Sequence, residues 1–174
     1  MISEKMAKAL NEQIALEGKA SFLYLSMSSW CDQAGLEGCT NFMRRQSEEE
    51  HEHMIRIFDY LSEVNQQALT PAIPQVPHTF ESVQSLMKEV FAHEQKVTAS
   101  INNLIHLANE ENDYTTLNFL QWYVVEQREE EALMRTVLDK IELIGEGPMT
   151  LYYIDKEIAA INTQQLEAEQ AETE

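Results

Sequence analysis

The sequence contains few residues that break helices and few positive charges. Only five glycines and four prolines occur in 174 residues, which favours an all-helical protein because both residues destabilise helix interiors. Lysine and arginine total 12 against 30 aspartates and glutamates, a formal net charge of -18. Such a surface repels nucleic acid and anionic membranes and attracts cations. We therefore expect neither nucleic acid nor a membrane as a partner.

Long apolar runs and an N-terminal targeting signal are also missing. No apolar run reaches the roughly 18 residues that a membrane-spanning helix needs. The chain does not open with a basic segment followed by an apolar one, as a secretion signal would. Its two cysteines, Cys31 and Cys39, form no Cys-x-x-Cys motif. We expect a cytoplasmic protein with reduced, partly buried thiols, and a bridge between the two cysteines is the less favoured alternative.

Apolar residues recur every three to four positions in four long segments, which predicts four long helices. The segments run from about residue 3 to 32, 37 to 64, 81 to 110 and 114 to 144. Short turns after the first and third segments make each following helix an antiparallel neighbour. The sequence therefore predicts a four-helix bundle.

The connection between the second and third helices is long and rich in proline. Residues 65–79 include Pro71, Pro74 and Pro77 and cannot be helical. A helix of about 27 residues is about 40 Å long, whereas about 15 extended residues reach roughly 50 Å. The connection can thus travel the length of the bundle, which makes the second and third helices parallel.

A short fifth helix is predicted from about residue 150, after Gly145 and Gly147 end the fourth. Because a four-helix bundle is already complete, we expect the apolar face of this helix to be buried against another subunit. That face consists of Leu151, Ile154, Ile158 and Ile161. We interpret residues 1–165 as one bundle domain and residues 166–174 as an acidic, disordered tail.

Glutamate interrupts the apolar stripe near the middle of every long helix. These residues are Glu17, Glu50, Glu94 and Glu130, with Glu126 on the stripe beside the last. Burying an ion costs several kcal/mol, so four uncompensated carboxylates would rival the roughly 5–15 kcal/mol stability of a whole domain. Lysine and arginine are missing from the stripes, so an ion-pair network is not expected.

Two divalent metal ions would balance the four carboxylates. His53 lies three residues after Glu50, hence on the same helix face, and adds a neutral nitrogen ligand. Oxygen ligands with few imidazoles and no thiolate suit iron or manganese better than a structural zinc ion. Any one of these glutamates alone would be better interpreted as a solvated side chain. The four together, at one level, predict a metal pair.

This residue set resembles the ferroxidase centre of the ferritin family. The matching residues are Glu17, Glu50-x-x-His53, Glu94 and Gln127-x-x-Glu130, with Tyr24. The stretches 11–13 and 118–127 are similar to those of prokaryotic non-haem ferritins, and the resemblance covers about residues 1–165. It implies the ferritin-like bundle with one long crossover and a fifth helix. It also implies a hollow 24-subunit cage that oxidises Fe(II) with dioxygen or peroxide and stores ferric oxyhydroxide.

The resemblance further implies which residues bind iron. Glu17, Glu50 and His53 hold one ion, while Glu50, Glu94 and Glu130 hold the other, so that Glu50 bridges the pair. A third, looser iron site is implied at Glu49, Glu126 and Glu129.

Two nearby residues receive supporting roles from the same resemblance. Gln127 orients a ligand or a bound oxidant, and Tyr24 hydrogen-bonds at the site and can donate an electron. Bacterioferritins carry a second Glu-x-x-His where this chain has Gln127 and Glu130, so no haem is expected. Gly18 replaces a bulkier residue beside Glu17, and we expect it to loosen the first helix there.

Other functions are compatible with parts of this pattern. A stand-alone di-iron or di-manganese oxidase or peroxidase would use the same ligands without forming a storage cage. A mini-ferritin of the starved-cell DNA-protecting type would place its ligands at a subunit interface and lack the terminal helix. A partner-binding helical bundle of the cytokine type would take up no metal. The fifth helix and the acidic surface favour the cage over a stand-alone enzyme. The glutamates on all four helices oppose the partner-binding bundle.

Overall fold

The computed structural model describes residues 2–172 and consists of five helices. They are α1 (Glu4–Gln33), α2 (Glu37–Glu63), α3 (Val83–Glu110), α4 (Tyr114–Ile144) and α5 (Thr150–Glu172). Residues 2–172 contain no β-strand, and the predicted all-helical bundle with a fifth C-terminal helix is confirmed. No helix in this range is long and apolar enough to span a membrane.

Side-chain caps fix where three of the long helices begin. The side chains of Ser3, Ser82 and Asp113 accept hydrogen bonds from backbone N–H groups in the first turns of α1, α3 and α4. Each such cap stabilises a helix by about 1 kcal/mol because it satisfies a backbone donor that has no partner within the helix. Because the start of each helix is fixed, the position of its middle residues along the bundle axis is also constrained.

Hydrogen bonds between α1 and α2 show that these helices are antiparallel. The Ser21 hydroxyl donates to the Ser47 carbonyl at 2.8 Å, and the Ser28 hydroxyl donates to the Thr40 carbonyl at 3.0 Å. Residue numbers thus rise on α1 as they fall on α2, as expected for helices joined by a short turn.

The packing of α1 against α3 establishes the long crossover. Gln13 meets Ser100, and Tyr24 meets Glu94, so α1 and α3 are also antiparallel. Because α2 and α3 both run opposite to α1, they are parallel to each other. The proline-rich connection between them therefore travels the length of the bundle, as predicted.

The apolar core is divided into two parts along the bundle. On α1, for example, one part contains the buried apolar residues from Met6 to Ile14 and the other those from Ala20 to Cys31. A layer of buried polar side chains occupies the break on every long helix. It includes Gln13 and Glu17 on α1, Glu50 and His53 on α2, Glu94 on α3, and Gln127 and Glu130 on α4.

The fifth helix packs against the bundle of its own chain. Ile154, Ile158 and Ile161 are only 4%, 1% and 8% exposed and belong to the apolar core. The expectation that another subunit covers this face is therefore wrong for these three residues, although Leu151 remains 55% exposed.

Gly38 explains why α5 can approach α2 so closely. A Cβ atom at this position would lie 2.2 Å from the carbonyl oxygen of Asp155 and 2.9 Å from the Cβ of Ala159. The Asp155 side chain also accepts a hydrogen bond from the backbone N–H of Cys39 at 2.9 Å. The missing side chain of Gly38 leaves room for the α5 backbone.

The structure extends α5 to Glu172, through residues that the sequence predicts as a disordered tail. Leucine, glutamate, alanine and glutamine make up residues 166–172, and all four are good helix formers. Despite their low apolar content, these residues continue the helix because the part of α5 before them is packed against the bundle. The prediction of disorder is corrected for residues 166–172, while residues 173 and 174 lie outside the described range.

The two cysteines are buried and unbridged, and they lie next to each other. A hydrogen bond with Cys31, followed by burial, raises the pKa of the Cys39 thiol well above its ordinary value. Because the thiolate is the reactive form, the Cys39 thiol is expected to be an unreactive packing residue.

Gly38→Ala is expected to displace α5 and to lower the free energy of unfolding by about 1–3 kcal/mol, the usual cost of overpacking. Chemical denaturation and amide hydrogen exchange along α5 measure both effects. Gly147→Ala is the matched control, because the nearest atom to its added Cβ lies 3.9 Å away. Equal stability and equal α5 protection in the two variants would contradict the proposed close packing.

Candidate metal centre

Three predicted ligands meet inside the polar layer. Glu17, Glu50 and His53 are all buried and each offers a ligand atom, and these atoms lie within 4.8 Å of one another. His53 Nδ1 is 3.8 Å from Glu50 Oε2. Among the described residues, no other group of three potential ligands meets this distance limit. The structure therefore brings together the three residues that the sequence predicts for the first iron.

Polar atoms of several predicted site residues are buried without hydrogen-bond partners. They are Glu17 Oε2, Glu50 Oε2, His53 Nδ1 and Glu130 Oε2, together with Gln127 Oε1. Leaving a buried polar atom unsatisfied costs about 1–3 kcal/mol, and more for a charged group. Several such atoms in one layer fit the binding of a cation. Three carboxylates and an imidazole form a donor set suited to iron.

Glu94 and Glu130, the other predicted ligands, lie beside this trio but are not part of it. Both oxygens of Glu94 are engaged, because the Tyr24 hydroxyl donates to Oε1 and Gln127 Nε2 lies 3.3 Å from Oε2. Each carboxylate oxygen has two lone pairs, so Glu94 could bind a metal ion while it keeps both hydrogen bonds. Tyr24 and Gln127 both contact Glu94, and the supporting roles that the sequence predicts for them stay predictions.

His93 is a neighbour of the centre to which the sequence gave no role. Its Nδ1 lies 3.3 Å from the Tyr24 hydroxyl, and the two rings pack edge to face with centroids 5.8 Å apart. Tyr24 is therefore held between the Glu94 carboxylate and the His93 ring.

Aromatic packing and a carboxylate orient His53. Its ring packs against Trp122 and Tyr123, with centroid distances of 5.6 and 5.4 Å. Its Nε2 lies 3.7 Å from Glu126 Oε1. With Nε2 facing Glu126, the other ring nitrogen, the unpartnered Nδ1, faces Glu50. Metal-binding histidines usually have such a carboxylate near the second ring nitrogen. The interaction with His53 also holds the pKa of Glu126 below its ordinary value.

The position of Glu126 differs from the stripe predicted for α4. The Glu126 side chain is 35% exposed, whereas its neighbour Gln127 is only 2% exposed. The buried face of α4 is therefore rotated by one residue from the predicted stripe at this point.

Burial dominates the electrostatics of the carboxylates. It raises the pKa of Glu50 well above the ordinary value, and the nearby charges of Glu94 and Glu17 raise it further. Burial also raises the pKa of Glu130 well above its usual range, and it raises that of Glu94 to about 7. Because a carboxyl group must be ionised to bind a metal ion, these raised pKa values couple metal binding to the release of protons.

The residues of the predicted third site line a neighbouring cavity of about 550 Å³. Glu49, Glu126 and Glu129 border this space, and Leu166 and Ala168 of α5 close part of it. The described structure brings the three carboxylates to one cavity but does not bring their oxygens within the distance that defines the first site.

Glu49 already has a cationic partner in this cavity. Arg45 Nη1 lies 2.5 Å from Glu49 Oε1, and Arg45 Nε donates to Asn162 Oδ1 of α5 at 2.8 Å. Gln46 also donates a hydrogen bond to the other oxygen of Glu49. Iron binding by Glu49 would compete with this pairing, which also links Glu49 to the docked α5.

Gly18 does not loosen α1 as expected. The space beside it is filled by Met54 of α2 and by Ile73 and Pro71 of the crossover, which approach to 3.1, 3.2 and 3.5 Å of the missing Cβ position. The absent side chain lets the crossover pack directly over the helix turn that carries Glu17. The expectation for Gly18 is corrected because the proline-rich connection between α2 and α3 passes over this turn of α1.

Comparison with known proteins identifies the family. A model of the ferritin-like domain matches residues 7–144. The chain belongs to the ferritin family. A bacterial non-heme ferritin of Escherichia coli O6:H1 is 42% identical over 94% of this chain and 99% of the relative. A bacterial non-heme ferritin of Campylobacter jejuni is 43% identical over 92% of this chain and 96% of the relative.

Solved structures support the same assignment. An open pore ferritin from the hyperthermophilic archaeon Archaeoglobus fulgidus superimposes with a TM-score of 0.87 and is 43% identical. The match covers 91% of this chain and 96% of the archaeal chain. The predictions of an iron-storage protein with ferroxidase activity, and of iron as the bound metal, are confirmed by this membership. Ferritins form cage oligomers, which agrees with the predicted oligomer.

The stability of this ferritin without metal is expected to fall as pH rises. Because the pKa of Glu94 is raised from 4.5 to about 7, the folded chain binds more protons than the unfolded chain between these pH values. The stabilisation is complete below the lower value and is lost as pH rises through the upper one. Thermal unfolding of chelator-treated protein at about pH 5 and pH 7.5 measures this loss. Glu94→Gln is expected to show a smaller decrease, and an identical decrease in both proteins would contradict the argument.

Proposed function

We propose that this ferritin stores iron in a 24-subunit cage and oxidises Fe(II) at a site within each subunit. The first iron binds Glu17, Glu50 and His53, and the second binds Glu50, Glu94 and Glu130. The observation that carries the proposal is the group of buried, unpartnered ligand atoms in the break between the two parts of the apolar core.

The proposed reaction uses two Fe(II) ions, each of which gives up one electron. With dioxygen as the oxidant, two electrons and two protons give hydrogen peroxide; with hydrogen peroxide, they give two water molecules. The buried carboxylates release their protons when Fe(II) binds, because a carboxylate must ionise to act as a ligand. Their negative charge then favours the ferric product, since four carboxylates balance a higher cationic charge better than neutral ligands do.

The supporting residues have distinct tasks in this proposal. His53 binds through Nδ1, while Glu126 and the two aromatic rings fix its orientation. Gln127 holds Glu94 and places its unpartnered carbonyl oxygen in the buried layer, where it can orient a ligand or the oxidant. Tyr24 remains bonded to Glu94 and acts as an electron donor rather than a ligand.

A third iron site is proposed at Glu49, Glu126 and Glu129, in the cavity beside the centre. Its carboxylates are more exposed than those of the centre, which supports weaker and more transient binding. Iron at this site would share the Glu49 carboxylate with Arg45, whose positive charge opposes cation binding.

The charge and the proposed ligands of the protein bear on its partners, its location and its cofactor. A net charge of -18 disfavours nucleic acid and anionic membranes as partners and favours attraction of Fe(II). We propose that the protein is cytoplasmic and uses iron without haem.

Iron loading combined with native mass measurement tests the storage function. Apo-protein that receives several hundred Fe(II) per cage in air should keep the iron soluble as mineral inside a large assembly. A stand-alone oxidase or peroxidase would stop accumulating iron once its sites were filled and would have a small native mass. A partner-binding bundle would take up no iron. Either of the last two results would contradict the proposed function.

Tyr24→Phe is expected to preserve metal binding but to slow turnover after the first oxidation cycle, because the variant removes a donor and no ligand. Anaerobic Fe(II) binding and multiple-turnover oxidation rates measure the two properties separately. Tyr60→Phe is a matched control, since its hydroxyl bonds Thr116 at 2.7 Å in one part of the apolar core. Loss of Fe(II) binding in Tyr24→Phe, or equal turnover in both variants, would contradict the proposed role.

A further inference from the structure

Gln13 is a buried amide in the polar layer that is not part of the predicted ligand set. It is 1% exposed and lies four residues before Glu17, on the same face of α1. Its Nε2 donates a hydrogen bond to Glu17 Oε1, and its Oε1 accepts one from the Ser100 hydroxyl at 2.5 Å. Gln13 therefore connects a proposed iron ligand on α1 to a hydroxyl on α3.

The Ser100 hydroxyl determines which way the Gln13 amide faces. A glutamine amide has a donating nitrogen and an accepting oxygen at its two ends. Donation from Ser100 to the oxygen leaves the nitrogen directed towards Glu17. The reverse orientation would place the amide oxygen against a carboxylate, where neither atom can donate, and would bury both without a partner.

This arrangement distinguishes the two oxygens of Glu17. Oε1 is occupied by the Gln13 amide, whereas Oε2 is buried without a partner and belongs to the side chain that meets Glu50 and His53. The hydrogen bond also limits rotation of the carboxylate about its last side-chain bond. Oε2 is thus already presented to the first iron before the metal arrives.

We propose that Ser100 and Gln13 form a positioning relay that makes Glu17 a one-oxygen ligand of the first iron through Oε2. The inference rests on the proposed function, because it takes Glu17 as a ligand of that iron. It adds two residues that touch no metal and act through Glu17. Both lie where the antiparallel packing of α1 and α3 brings them together, and α3 also supplies Glu94 six residues before Ser100.

Anaerobic Co(II) binding tests the relay without depending on oxidation. Co(II) reports affinity by calorimetry and the number and type of its ligands by visible absorption. Gln13→Leu is expected to weaken binding of the first Co(II) by about 10- to 100-fold, the usual effect of removing a group that orients a metal ligand. Ser100→Ala is expected to weaken it less, because the amide remains but can rotate. Ser100→Thr keeps the hydroxyl and is expected to restore near-normal affinity and spectrum.

Ser28→Ala provides the matched control for a purely structural effect. Ser28 is 1% exposed, and its hydroxyl donates to the Thr40 carbonyl in one part of the apolar core rather than in the polar layer. Equal losses of stability in Ser28→Ala and Ser100→Ala, with unchanged Co(II) affinity and spectrum in both, would overturn the relay. Selective changes in Ser100→Ala and Gln13→Leu, in protein of unchanged native mass, would support it.

Glu17→Ala separates failure of the relay from failure of the proposed site. If Glu17→Ala leaves the first Co(II) affinity unchanged, Glu17 is not a ligand, and both the site assignment and the relay fail. If Glu17→Ala weakens binding strongly while Gln13→Leu and Ser100→Ala do not, the site stands and only the relay is overturned.

Discussion

Glu94→Ala is expected to abolish the fast oxidation of Fe(II) while leaving the cage assembled. The variant removes a proposed ligand of the second iron and would leave two ions with one carboxylate too few to balance their charge. We expect the initial rate to fall by about 100-fold or more, above the range seen when only a supporting residue is lost. Stopped-flow absorbance in the near ultraviolet measures this rate.

The assembly should survive because Glu94 is completely buried within its own subunit. The Tyr24 hydroxyl loses its carboxylate acceptor in this variant, but His93 Nδ1 lies 3.3 Å away and can accept instead. Glu89→Ala, which removes an exposed glutamate from the same helix, is the matched control. A normal initial rate in Glu94→Ala protein of normal native mass would show that Glu94 is not a ligand in the oxidation centre.

Removal of α5 is expected to have the largest effect on stability and assembly. A chain ending at Gly147 loses Ile154, Ile158 and Ile161 from the apolar core and exposes the surface of α2 that they cover. Truncating a buried isoleucine to alanine alone costs about 2–5 kcal/mol, so loss of three approaches the roughly 5–15 kcal/mol stability of a domain. The shortened chain should unfold at much lower denaturant concentration and should sediment as small species or aggregates.

Two point variants separate the internal and external contributions of α5. Ile158→Ala should lower the free energy of unfolding by about 2–5 kcal/mol, because this side chain is 1% exposed. Leu151→Ala removes an apolar side chain that is 55% exposed, and it should leave the stability of the subunit nearly unchanged. An unchanged unfolding midpoint and sedimentation profile in the truncated chain would contradict the packing of α5 described above.

The sequence predicts correctly that four glutamates are buried, because helix periodicity is a local property. Glu17, Glu50, Glu94 and Glu130 interrupt stripes that can be counted along each segment, and all four are buried in one layer. The prediction of which residue is buried is less accurate where two consecutive residues both lie at the edge of the apolar stripe. Glu126 and Gln127 differ by 100° around α4, and the structure buries the second rather than the first.

Contacts that depend on how helices meet could not be predicted in this way. The surface that covers α5 is created by the missing side chain of Gly38, and the space beside Gly18 is filled by a distant proline-rich connection. Ser100 meets Gln13 only through the register of α1 against α3, so nothing in the local pattern of α3 identifies it. Gln13 carried a usable signal, since it precedes Glu17 by four residues on the same helix face.

Anomalous diffraction from crystals soaked anaerobically with Fe(II) tests the central claim most directly. Data collected on both sides of the iron absorption edge locate each ion independently of any assumed ligand. We predict two strong peaks in every subunit, one among Glu17, Glu50 and His53 and the other among Glu50, Glu94 and Glu130. Peaks confined to surface carboxylates, with no iron in the buried layer, would contradict the account.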